Sequence, residues 1–207
     1  MQVMSNTYRK ELISIEQRHI ARRLILYIAM ASITMFFAVT TSALLVKKAD
    51  VLNWAQFPLP NMFLISTVIA LASSACFYFT YKLYKQKKFA AYRWMLFLSG
   101  IVSIGFLVSQ LLGFEALKEM GLPLTGNVAG SFIYFLAIAH GLHIVGGLVA
   151  MSVILIKSYW VRKDLQFEGG GKLNIKRLFS LEILTSYWHF VNVLWVYLFL
   201  FFYFNYQ

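Results

Sequence analysis

Residues 130–156 read GSFIYFLAIAHGLHIVGGLVAMSVILI, a run of 27 residues without a single Asp, Glu, Lys or Arg. A helix needs about 20 apolar residues to cross a hydrocarbon core of roughly 30 Å, so this stretch reads as a membrane span. Four more uncharged windows of that kind surround it, and the five together are Leu24–Val46, Val51–Tyr81, Trp94–Phe114, Met120–Ile156 and Ile183–Gln207. Two are longer than a span requires. Their excess lies at the start, where Pro58 and Pro60 in one and Pro123, Gly126 and Gly130 in the other mark loop or helix start. The expected spans are therefore about 24–46, 60–81, 94–114, 130–156 and 183–205. They form an all-α integral membrane bundle, with residues 1–23 as a cytoplasmic N-terminal segment and 24–207 as one five-helix domain.

Composition agrees with that frame. Of 207 residues 60% are hydrophobic and 13% charged, with a mean hydropathy of +0.67. A soluble domain carries roughly 25% charged residues, which excludes an ordinary soluble enzyme. Disorder is excluded too, since it needs low hydrophobicity and high charge. The single cysteine, Cys76, lies in an apolar stretch and has no partner for an intrachain disulfide. The N-terminus does not read as a signal peptide, because a long polar stretch precedes a run too long for an h-region.

The net charge of +11 would suggest nucleic acid in a soluble chain, but its distribution points to the membrane and not to nucleic acid. Arg9, Lys10, Arg18, Arg22 and Arg23 precede the first span; Lys82, Lys85, Lys87, Lys88 and Arg93 follow the second; Lys157, Arg162, Lys163, Lys172, Lys176 and Arg177 follow the fourth. Lys47, Lys48 and Lys118 alone fall on the other side, which places the N-terminus inside and the C-terminus outside. Tyr27, Tyr84, Trp94 and Trp160 fit the inner interface, and Trp54, Tyr203 and Tyr206 the outer one. The loop carrying Gly169, Gly170 and Gly171 reads as a flexible cytoplasmic connection whose basic residues face anionic headgroups.

Ionisable groups inside a membrane are costly and are the default candidates for function. His140 and His143 stand mid-helix in the fourth span and His189 stands a turn or two into the fifth. On the fourth, Leu136, His140, His143, Gly147 and Ala150 share a stripe beside Gly141 and Gly146, where small residues admit a neighbouring helix. On the fifth, Glu182, Thr185, His189 and Asn192 form a second polar stripe, and the two stripes are expected to meet. The seam can be hydrogen-bonded packing, or His140, His143 and His189 can ligate haem or another metal. A three-residue separation on one helix cannot supply two opposed axial ligands, so His189 would have to complete a haem site. A carboxylate-bridged metal centre lacks its inward glutamates. Glu115 and Glu182 are boundary carboxylates, solvated or paired with cations, and Gln110 is a helix-contact hydrogen-bonder. A transporter would show interrupted half-helices, which the spans do not suggest.

At the seam the sequence resembles a known family. His140-Gly141-Leu142-His143-Ile144-Val145-Gly146 is similar to the His-Gly-x-His element of cytochrome c oxidase subunit III, and Tyr187-Trp188-His189-Phe190-Val191-Asn192-Val193-Leu194-Trp195 resembles that family's last-helix signature. Pro58-Leu59-Pro60-Asn61 with Ser73-Ser74, Gln110 with Gly113-Phe114, Gly130-Ser131-Phe132, and Ser32 to Phe37 resemble further family elements. The match covers five helices, as in the shorter family form without the first two of seven. Two positions depart from the pattern: Ile33 stands where the family has an intramembrane glutamate, and Asn192 where it has an aspartate.

The resemblance implies an accessory, non-redox subunit III of a haem-copper terminal oxidase in the inner membrane of a bacterium. Haem and copper would belong to subunits I and II, with this chain packing beside subunit I and supporting oxygen reduction and proton uptake. The resemblance also implies bound phospholipid, and no catalytic, cofactor-binding or metal residue in this chain. His140, His143, Gly146, Gly147, Trp188, His189 and Asn192 are then seam residues for packing and subunit contact. The donor is cytochrome c or, in a quinol-oxidase subunit III, quinol; a haem-b redox protein built on the three histidines is the rival.

Overall fold

A computed structural model describes residues 2–51, 54, 57–125, 128–160 and 175–206. Within them it contains five helices and no strand: α1 (Gln2–Asp50), α2 (Asn61–Lys85), α3 (Phe89–Glu119), α4 (Val128–Trp160) and α5 (Ile175–Tyr206). All five include a segment long and apolar enough to cross a membrane. Gly126 and the connection with Gly169, Gly170 and Gly171 lie outside the described residues.

Each helix overruns the apolar window that announced it. Backbone hydrogen bonding continues past the last apolar residue wherever no breaker intervenes, so helix ends follow turn chemistry and span ends follow polarity. The overrun is largest in α1, where the expected segment 1–23 is helical from Gln2 and continuous with the span. Pro60 caps α2. The reversal into α3 takes three residues, with Lys87 at φ 59° and the Lys88 amide donating to the Leu83 carbonyl at 3.1 Å. Gly121 at φ 77° closes α3, with the Leu122 amide reaching back to the Leu117 carbonyl at 3.1 Å. That is a 6→1 helix terminator, and its positive φ favours glycine.

Helices α2, α3, α4 and α5 pack as a cyclic group, α2 on α3 and α5, α4 on α3 and α5. Helix α1 lies outside that group and touches only α4 and α5 among the described elements. The core is heavily aromatic, with Phe63, Phe77, Phe106, Trp188, Trp195 and Phe202 essentially enclosed.

One end of the bundle is tied by tyrosines. The Tyr206 hydroxyl donates to the Ala129 carbonyl at 2.8 Å, and the Tyr206 carbonyl accepts from the Phe57 amide at 2.9 Å. The Tyr134 hydroxyl lies 3.0 Å from the Phe114 carbonyl and 3.2 Å from that of Leu122. Tyr206 is therefore fully buried and serves as a staple rather than as the interfacial anchor its terminal position suggested. Its hydroxyl adds a second hydrogen bond to a carbonyl in the first turn of α4 and so joins the end of α5 to the start of α4.

Candidate functional site

The signature of α5 faces two helices at once. Toward α2, the Trp188 indole donates to Ser73 Oγ at 3.3 Å and Asn192 Nδ2 donates to Ser73 Oγ at 3.0 Å and Ser74 Oγ at 3.1 Å. His189 Nδ1 stands 2.8 Å from Ser74 Oγ, and the Trp195 indole donates to Thr67 Oγ1 at 3.1 Å. Thr67 and Ser74 are seven residues apart and so share one face of α2, with Ser73 beside Ser74, so hydroxyls stand two turns apart along the contact. Ser73 and Thr67 spend their own protons on the carbonyls of Ala70 and Phe63, both at 2.8 Å, which leaves their oxygens free to accept.

Toward α4, the contact is steric. A Cβ on Gly147 would come within 2.6 Å of the Trp188 ring and 3.0 Å of the Tyr187 ring. Glycine thus admits α5 to the backbone of α4, as small residues do in membrane helix pairs. The Tyr187 hydroxyl then donates to the His143 carbonyl at 2.8 Å.

The two stripes expected to meet are arranged differently. Gly147 and the Tyr187–Trp188 pair do join α4 to α5, but His189 and Asn192 turn to α2. The imidazoles of α4 do not bond across to α5 either. His143 Nδ1 stands 2.7 Å from the Ala139 carbonyl of its own helix, and its ring lies 5.9 Å from that of Phe37 on α1. His140 is completely enclosed by the rings of Phe37, Phe106 and Trp195, at 6.4, 5.7 and 5.2 Å. Gly146 has nothing within contact distance and opens onto a cleft instead of a helix. Sequence reasoning misplaced these contacts because a stripe defines a face and not its partner.

That cleft, of about 590 Å³, lies between α1, α4 and α5, with Gly146, Gly147 and Ala150 on one wall and Arg22 and Lys157 among its cationic residues. At the same end Glu182 Oε1 lies 3.7 Å from Arg23, and Glu182 Oε2 lies 3.5 Å from His19 Nε2. The His19 ring stacks on Phe179 at 3.7 Å with 9° between planes. Glu182 is thus a paired boundary carboxylate that ties α1 to α5, whereas Glu115 is exposed on the last turns of α3. Sequence reading passed over His19; its spacing from Arg22 and Arg23 on one helix, opposite Glu182, was the available signal. Ile33, where a glutamate was expected by resemblance, packs half-buried against the apolar core.

These features define a class: a polytopic α-helical membrane protein whose polar and aromatic seam binds helix to helix. Among the described residues no three His, Cys, Asp or Glu side chains converge as a metal site. Residues 10–206 match the family model of cytochrome c oxidase subunit III, and the chain belongs to that family. It is similar to a probable cytochrome c oxidase subunit 3 of Nocardia farcinica, 27% identical over 180 residues that cover 84% of this chain and 83% of the relative. It is also similar to cytochrome c oxidase subunit 3 of Bacillus subtilis, 29% identical over 65% of this chain and 61% of the relative. A probable quinol oxidase subunit 3 of Staphylococcus aureus is 29% identical over 69% of this chain and 66% of the relative. The match thus spans about three fifths of the Bacillus relative and about two thirds of the Staphylococcus one.

Proposed function

We propose that the chain serves as the accessory, non-redox subunit III of a haem-copper terminal oxidase. In this reading it packs beside subunit I, with subunit II in the same complex, and supports oxygen reduction to water and proton uptake carried out by those partners. The observation that carries the reading is how the α5 signature is used. Trp188, His189, Asn192 and Trp195 are each bonded to a hydroxyl of α2, so the residues that mark the family hold the bundle together. His140 packs against the Trp195 ring and His189 Nδ1 stands beside Ser74 Oγ, packing roles that favour this reading over a haem-b protein.

The bacterial plasma membrane is the proposed location, with the N-terminus of α1 on the cytoplasmic side. The concentration of cations at the α1 N-terminus, the α2–α3 turn and the α4–α5 connection supports that orientation. The apolar cleft with Arg22 and Lys157 supports bound phospholipid, since a cation beside an apolar slot suits an anionic headgroup with its acyl chains. Relatives described as cytochrome c and as quinol oxidase subunits both match, so a quinol-oxidase subunit III is the second reading.

Affinity purification of the tagged chain from its native membrane tests the proposal. The expected result is co-purification of haem- and copper-bearing subunits, with no Soret band in the chain once it is separated from them. A stoichiometric Soret band in the separated chain, lost on His140→Leu or His189→Leu, would establish the haem-protein reading instead. Reduction of the purified complex by cytochrome c or by a quinol identifies the donor.

A further inference from the structure

Two polar side chains deep in the bundle are left without any protein partner. Both ring nitrogens of His140 and both amide atoms of Gln110 are buried and unbonded, although His140 is fully enclosed and Gln110 only 4% exposed. They belong to one place. The Phe106 ring lies 5.7 Å from His140, and the Phe114 ring lies 5.0 Å from Tyr134. Helices α3 and α4 therefore run antiparallel with these pairs in register, and Gln110, midway between Phe106 and Phe114 on the same face, falls level with Ala137, about one turn from His140.

The surrounding hydroxyls offer no donated proton. Thr67, Ser103 and Ser109 donate to the carbonyls of Phe63, Ser99 and Phe106, at 2.8, 2.7 and 2.7 Å. A buried amide has two donor hydrogens and a carbonyl acceptor, and a neutral imidazole has one donor and one acceptor. Buried polar groups nearly always find partners, and in protein interiors ordered water supplies them where side chains do not.

We propose that Gln110 and His140 hold ordered water between α3 and α4, as an internal hydration site enclosed by Phe106, Trp195 and Phe37. The ligand is water itself, accepting from the amide and bridging to the imidazole. The site lies wholly inside this chain, so it stands independently of which complex the chain joins.

The test uses the full chain, purified from its membrane with everything that stays bound. A cryo-EM map fine enough to resolve solvent is expected to show a density peak within about 3.2 Å of a His140 ring nitrogen and of the Gln110 amide. Microsecond X-ray hydroxyl-radical footprinting in ¹⁸O-labelled water gives a second readout. Retained water should make Phe106 several-fold more reactive than Phe202, a ring of the same kind that is as deeply buried. A map in which the Gln110 amide bonds His140 directly, or in which both groups are dry, overturns the proposal, as does reactivity at Phe106 no greater than at Phe202.

Discussion

Helix α1 carries a window as apolar as those of α2, α3 and α4 and more apolar than that of α5, and yet it is differently employed. The most apolar window of α1 is 11% buried within the protein, against 39% for those of α3 and α5. Leu24, Ile28, Met35 and Val39 on α1 are all more than half exposed, while α5 hides Trp188, Trp195, Leu198 and Phe202 completely or nearly so. In a bilayer, lipid tails are as apolar as leucine, so hydrophobicity places a helix in the membrane but does not dock it on its neighbours. What docks α2, α4 and α5 is close approach at Gly147 and directed bonds to the α2 hydroxyls. What docks α1 is lighter: a Thr41–Tyr197 hydroxyl contact at 2.9 Å, the Lys48 ammonium donating to the Asn205 carbonyl at 2.7 Å, and the Glu182 cluster. Substitutions in the core group should therefore cost far more than substitutions on α1.

The sharpest version of that contrast is Trp195→Ala. It removes a fully buried indole that packs on Phe63, Phe106 and His140 and bonds Thr67. A loss of roughly 3–5 kcal/mol is expected, read as failure to accumulate in the membrane or a large drop in thermal stability in detergent. Gly147→Ala comes next, at about 1–3 kcal/mol, because the rings of Trp188 and Tyr187 must move to admit one methyl. Gly100→Ala is its control. There the close atom is the flexible tip of Met151, at 2.6 Å, so the melting temperature should shift much less. An equal loss at both glycines would show that the Gly147 contact is not special.

Asn192→Leu removes two bonds between α5 and α2 and should cost about 0.6–1.7 kcal/mol, between the average and the largest value for interhelical bonds in membranes. Asn192→Asp, which restores the residue type of the resembled signature, tests whether Ser73 and Ser74 accept the change by donating instead. Glu182→Gln is expected to have the smallest effect, less than about 1 kcal/mol, since the carboxylate is 31% exposed and Arg23 46% exposed. Its effect should shrink further as salt is raised. A loss rivalling that of Trp195→Ala would overturn the view of α1 as the lightly held helix.

The resemblance and the structure divide the same residues in an instructive way. The α5 signature could be quoted in full from the sequence, and so could Ser73-Ser74, but nothing in either string says that one is the partner of the other. Their separation of more than a hundred positions carries no periodicity. The staples at Tyr134 and Tyr206 were equally hidden, because a tyrosine at a span end reads as an interfacial anchor unless a carbonyl of another helix is known to face it. His19 lay in a segment that seemed merely charged, and its ring proved to stack on Phe179 at 3.7 Å.

By itself the sequence determined the number of membrane-crossing helices and the residues on which family membership rests. Length, polarity and helical spacing are local properties, and the bilayer reads them one segment at a time. Only the tertiary structure decided which helix each polar group would face, that α1 would stand apart, and that His140 and Gln110 would be buried with no side-chain or backbone partner. Those outcomes depend on the rotation of each helix about its axis, and in a medium as apolar as the helices themselves that rotation is set by glycine contacts and hydrogen bonds between distant parts of the chain.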